Sequence, residues 1–195
     1  MKRILYIFIA VALFSCKDEK KATTPEPVQE ETTATTEETN SETEEEAEKL
    51  PILTGVQKRE NIATAPYDTW FGPTYSVYAA DKETLDALKP LLKNVKIKIF
   101  MGTWCEDSQR EVPNFYKIVD VLKLDENNIE LITVDEEKET PNHLEDGFNI
   151  TNVPTFIFSK DGKEINRIVE FPVTSLEKDM LSILSGEAYK HSYAE

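Results

Sequence analysis

Cysteine is scarce in this chain: Cys16 and Cys105 are the only two among 195 residues. Two cysteines permit at most one internal disulfide, so the chain is no disulfide-framework protein. Positive charge is also short. Lys and Arg number 22 against 37 Asp and Glu, and the formal net charge is −15. Such a surface repels phosphate backbones, which excludes nucleic acid as a partner. No apolar run is long enough to span a bilayer; Ile4–Phe14 is 11 residues, about half of what a spanning helix needs. Residues 17–49 lack both aromatics and glycine and are built from Thr, Glu, Lys, Ala and Pro. That composition cannot bury enough apolar surface to offset the entropy of ordering, and predicts a disordered acidic tether.

What is present begins at the N-terminus. Met1-Lys2-Arg3 followed by Ile4–Phe14 has the basic start and short apolar core of an export signal. Leu13-Phe14-Ser15-Cys16 resembles a lipobox, in which the cysteine becomes the lipidated first residue of the mature protein. This implies a signal over 1–15, a lipid anchor at Cys16 and a membrane partner. Acyl chains at ~0.8 kcal/mol per buried CH₂ anchor such a protein stably. Lys17-Asp18-Glu19 resembles the charged tags that follow lipidated cysteines on surface-exposed lipoproteins. The expected location is the outer membrane, at its periplasmic face or the cell surface. With Cys16 acylated, Cys105 is the single remaining thiol.

The remaining chain divides at 50–94, 95–187 and 188–195. In the first stretch Tyr67, Trp70, Phe71, Tyr75 and Tyr78 cluster densely, as core aromatics do. Asp81 reads as an N-cap for a helix with Leu85, Leu88, Leu91 and Leu92, which Pro90 should shorten. Val95, Ile97, Ile99 and Met101 alternate with Lys96 and Lys98, as in a strand with one wetter face. Cys105 to about Leu124 reads as a helix with Val112, Phe115, Val119 and Leu122 on one stripe. Ile129–Val134 and Thr155–Ser159 read as strands, and Asp161-Gly162 turns the second into Lys163–Val169. Thr174-x-x-Glu177 predicts a capping box for a last helix through Leu184, with Gly186 just past its end. This order implies an α/β fold: a central mixed sheet, with a parallel pair extended by antiparallel strands and flanked by helices.

From residue 95 onward the chain resembles the thioredoxin family. The strand ends in Gly102-Thr103-Trp104-Cys105, and the motif is Cys105-Glu106-Asp107-Ser108. Pro113 follows eight residues after Cys105, where that family's active-site helix has its proline. Val153-Pro154-Thr155 resembles the family's cis-proline loop, and the hydrophobic strand and Lys-Asp-Gly turn come after it in the right order. The resemblance implies a thioredoxin-like fold and thiol–disulfide exchange without a cofactor or metal. Cys105 would be the nucleophile, aided by Ser108, with Trp104, Val153 and Pro154 binding substrate. Partners would be client proteins bearing thiols or disulfides and an external reducing thiol. A cysteine at a helix start also meets unpaired N–H groups and the positive end of the dipole, which stabilise a thiolate.

The sequence departs from the family in three ways. Ser108 replaces the second cysteine, so an adduct on Cys105 must await an outside thiol; its hydroxyl is expected to donate to the sulfur. Ile99 and Leu131 stand where the family has a buried carboxylate and a lysine. Glu106 and Asp107 oppose a further negative charge beside them. These departures keep open an alternative, a non-catalytic peptide-binding module on the same fold. A one-cysteine peroxidase would need an arginine at the thiol, and Arg110 is expected to face away. His143 falls in a polar stretch and is expected to be solvated rather than a metal ligand with Cys105 and Asp107.

Overall fold

The computed structural model describes residues 49–194. The signal, the lipidation candidate Cys16 and most of the expected tether lie outside the described residues. Five strands form one sheet: β1 (Gly55–Gln57), β2 (Val95–Met101), β3 (Ile129–Thr133), β4 (Thr155–Lys160) and β5 (Lys163–Val169), in the order β1-β3-β2-β4-β5. β2 and β3 run parallel, and every other pairing is antiparallel. The helices are α1 (Arg59–Ala63), α2 (Asp68–Val77), α3 (Lys82–Leu88), α4 (Glu106–Leu122) and α5 (Leu176–Ser185). The mixed sheet flanked by helices is the one expected.

Alternation in β2 divides the core. Val95, Ile97, Ile99 and Met101 point into the larger cluster, with Phe115 and Val119 of α4, Met180 of α5 and Leu88 of α3. Phe100 points to the other face and packs with Ile132, Val134, Val153 and Ile157. That second face is closed by the loop between β3 and β4, through Leu144, Phe148 and Ile150. Ile99 and Leu131 are both buried and lie opposite one another across the β2–β3 pair.

Residues 50–94 add to the same sheet and core. β1 pairs with β3, Tyr67 and Phe71 are buried, and Trp70, Tyr75 and Tyr78 pack against the core. Asp81 caps α3 by accepting from Thr84 N–H at 2.8 Å, and the helix gives way to a 3-10 turn at Lys89–Leu92, where Pro90 sits. The capping box expected at Thr174 does not form. Ser175 is the N-cap of α5, and Glu177 turns inward to accept from the Tyr78 hydroxyl at 2.5 Å and from Asp81 N–H at 3.2 Å. Burial raises the Glu177 carboxyl, but the Tyr78 hydrogen bond and backbone donors outweigh it and its pKa falls. Asp179 instead accepts from Val173 and Thr174 N–H. Gly186 ends α5 in the left-handed conformation, as its position predicted (φ 79°). The tail beyond 188 is partly held: the Tyr189 hydroxyl donates to Asp179 at 2.8 Å.

Candidate active site

β2 ends at Met101, and after three intervening residues the chain enters α4 at Cys105. Cys105 is the N-cap, with extended φ and ψ of −90° and 122°. Its N–H donates to the Gly102 carbonyl at 3.1 Å, and its own carbonyl accepts from Gln109 N–H at 3.0 Å. Its side chain does not cap the helix. The half-buried thiol instead donates to the Val153 carbonyl oxygen, Sγ to O 3.2 Å. Val153–Pro154 is a cis peptide. Residues 48 positions apart therefore meet through the sheet, because β4 begins directly after Pro154 and lies beside β2.

The loop around the sulfur is tied from several sides. Ser108 is fully buried, and its hydroxyl accepts from Gly102 N–H at 3.2 Å. Among the described residues this is the hydrogen bond it makes, where donation to the sulfur was expected. Thr103 Oγ1 accepts from Leu53 N–H at 3.2 Å, and its carbonyl accepts from the Gln109 amide at 2.8 Å. The Trp104 indole N–H donates to the Val134 carbonyl at 3.0 Å, pinning the ring to the end of β3. A Cβ at Gly102 would come within 2.5–2.9 Å of that indole, so only glycine leaves it room. Neither Gln109 nor the Leu53–Thr103 contact was singled out from sequence. Gln109 does stand four residues after Cys105, one helical turn along the same face.

Charge around the loop is arranged in pairs. Arg110 reaches back to Asp107 and across to Glu111, with Nε 2.7 Å from the Glu111 carboxylate. It is therefore engaged along α4 rather than at the sulfur. Burial pushes the Glu111 carboxyl up, against the Arg110 hydrogen bond that pulls it down. His143 is exposed and approaches Glu145 at 3.6 Å, with Asp146 nearby; it does not join Cys105 and Asp107. A recess of about 320 Å³ opens beside Trp104, walled by Leu50, Ile52, Thr103 and Gln109, with Lys49 and Glu136 also lining it. A larger one, about 430 Å³, lies among Lys96, Lys98 and Asn128 at the far end of β2; no thiol is near it.

The model of the thioredoxin family matches residues 81–182, which include Cys105, Pro113, Pro154 and all strands but β1. The chain belongs to the thioredoxin family. Thioredoxin H2 of Arabidopsis thaliana is 32% identical over 79 residues, 40% of this chain and 55% of that protein, so the chain spans about half the length of this relative. A crystal structure of a protein of unknown function from Pseudomonas aeruginosa superposes on 68% of this chain and 94% of its own, at TM-score 0.53 and 14% identity. That likeness concerns the fold alone, and the fold of this thioredoxin-family chain is thioredoxin-like. Among its described residues, no helix is long and apolar enough to cross a membrane.

Proposed function

We propose that this thioredoxin-family protein is exported, anchored by lipid on Cys16 at the outer membrane, and exchanges thiols and disulfides through Cys105 alone. The observation that supports this best is the half-buried Cys105 sulfur at the start of α4, 3.2 Å from the Val153 carbonyl. The thiolate attacks one sulfur of a partner disulfide. A new S–S bond forms as the old one breaks, and the departing sulfur leaves with the electron pair and takes up the proton Cys105 has lost. Cys105 is oxidised and the departing sulfur is reduced. Among the described residues no second cysteine is near to resolve the adduct, so an external thiol must release it. Trp104 and the Val153-Pro154 backbone would seat the client, and Ser108 would keep the loop in shape through Gly102.

Non-reducing gels of cells expressing the wild type or Cys105→Ala test this reading. Adducts present in the wild type and missing from the variant are expected; identical patterns would overturn it. Incorporation of labelled palmitate into the wild type but not into Cys16→Ala is the matching test of the anchor. The buried hydroxyl at 108, where a resolving sulfur would be needed, favours a second reading as a binding module without turnover. In that case clients still bind when Cys105 is alanine.

A further inference from the structure

We infer that Glu170 is a positioning residue for the Val153-Pro154 turn, and that the C-terminal tail straps it in place through Tyr193. This rests on the thiol-exchange reading above and adds what holds the client's seat.

The turn carries the carbonyl that meets the sulfur, and Glu170 holds it on both sides. Glu170 N–H donates to the Pro154 carbonyl at 2.7 Å. Its carboxylate Oε1 accepts from the Asn152 side-chain amide at 3.3 Å. Val153, whose carbonyl oxygen is 3.2 Å from the Cys105 sulfur, lies between these two anchors. Thr155 tightens the turn by donating its hydroxyl to the Asn152 carbonyl at 2.7 Å. The sheet brings Glu170 here. Val169, the last residue of β5, pairs with Thr155, the first of β4, so the residue after one strand stands beside the residue before the other.

Two further features give the Glu170 side chain a task of its own. The first is its backbone. Its φ is 66°, in the left-handed region that residues other than glycine seldom adopt, and Phe171 N–H closes a tight bend there by donating to the Val169 carbonyl at 2.8 Å. Glycine would make this bend and the bond to Pro154 with less strain, but would leave Asn152 without the carboxylate. Strain of this kind persists where the surroundings enforce it, and it gathers at functional sites. The second is the tail. Glu170 Oε2 accepts from the Tyr193 hydroxyl, and the Tyr193 ring stands edge-on to Phe171 with centroids 6.3 Å apart. The tail is itself fixed to β5, where the Asn166 amide donates to the Tyr189 carbonyl at 3.1 Å, and His191 Nδ1 accepts from Tyr193 N–H at 3.2 Å. A chain of contacts therefore runs from the tail through Glu170 and Asn152 to the carbonyl at the thiol.

Seating and nucleophilicity can be separated. A small disulfide needs only the sulfur, whereas an extended peptide also has to lie along the Val153-Pro154 backbone. A misplacement of about 1 Å can cost about 10²-fold in rate. The ratio of the two rates reports the turn and cancels the sulfur's own reactivity. A loss of stability alone leaves that ratio where it was.

The test uses the full chain with Cys16→Ser in a neutral detergent, so that Cys105 is the sole thiol. Two mixed disulfides of 5-thio-2-nitrobenzoate serve as probes, one on the cysteine of a short uncharged peptide and one on 2-mercaptoethanol. The Cys105 thiolate attacks the aliphatic sulfur. A new S–S bond forms as the probe's breaks, and the coloured thiolate leaves with the electron pair while the proton of Cys105 goes to buffer. The peptide rate divided by the small-probe rate should fall about 10-fold in Glu170→Ala. It should fall by less in Tyr193→Phe, which removes the hydroxyl and keeps the ring. It should hold in Glu170→Gln, whose amide oxygen still accepts from Asn152. A ratio unchanged or raised in Glu170→Ala would overturn the positioning role and leave thiol exchange intact. A ratio that holds in Tyr193→Phe would overturn the strap, and that variant decides alone if Glu170→Ala does not fold. A fall in Glu170→Gln as deep as in Glu170→Ala would overturn the Asn152 contact as the means. No coloured product from either probe would overturn thiol exchange and the positioning role together.

Discussion

Gly102 and Trp104 show how little room the loop between β2 and α4 has. The indole occupies the space in which a side chain at 102 would stand, and its N–H reaches Val134 only from there. Gly102→Ala must push the ring or the backbone aside. The substitution should cost about 1–3 kcal/mol, the usual range for overpacking, and change the tryptophan emission, since only Trp70 and Trp104 contribute. Thermal melting and fluorescence check this; an unchanged melting temperature and spectrum would contradict it. Thr103 is a second such residue. It is buried, and it links the chain entering the domain at Leu53 to the first turn of α4 through Gln109.

At the scale of elements, α4 has an apolar stripe and one misfit. Glu111 is buried on that helix beside Arg110, and burial raises its pKa. A carboxyl whose folded-state pKa is raised binds its proton more tightly when folded than when unfolded. Its contribution to stability is complete below the unfolded-state pKa and is lost as pH rises through the folded-state value. Glu111→Gln removes that titration. The melting temperature of the variant minus that of the wild type should therefore increase from pH 4 to pH 7. A difference that stays constant with pH would contradict this. The elements legible from sequence are those with their own period: β2 alternates from Val95 to Ile99, α4 keeps its stripe from Val112 to Leu122, and Asp161-Gly162 marks the turn between β4 and β5. β1 was not legible. Three residues, Gly55-Val56-Gln57, show no pattern, and the strand exists because β3 offers an edge to pair with. The cap of α5 was misread for a similar reason, since Glu177 is claimed by Tyr78, 99 positions away. The same limit applies to Ser108, whose partner Gly102 is fixed by the way the loop closes.

At the scale of the molecule, the two sheet faces have different jobs. One is sealed by helices over the larger cluster. The other is closed beside the sulfur by the acidic β3–β4 loop, which gives the thiol its surroundings. Among the described residues the one free thiol, Cys105, emerges beside that loop. Everything proposed here depends on that sulfur being reachable. The rate of iodoacetamide alkylation of Cys105, in folded protein and in urea-unfolded protein at one pH, measures this directly. The account predicts a folded-state rate within about tenfold of the unfolded one, because a half-buried thiol that reaches the surface needs no opening of the structure to react. Alkylation slower by a thousandfold or more, at a rate set by global unfolding, would contradict it.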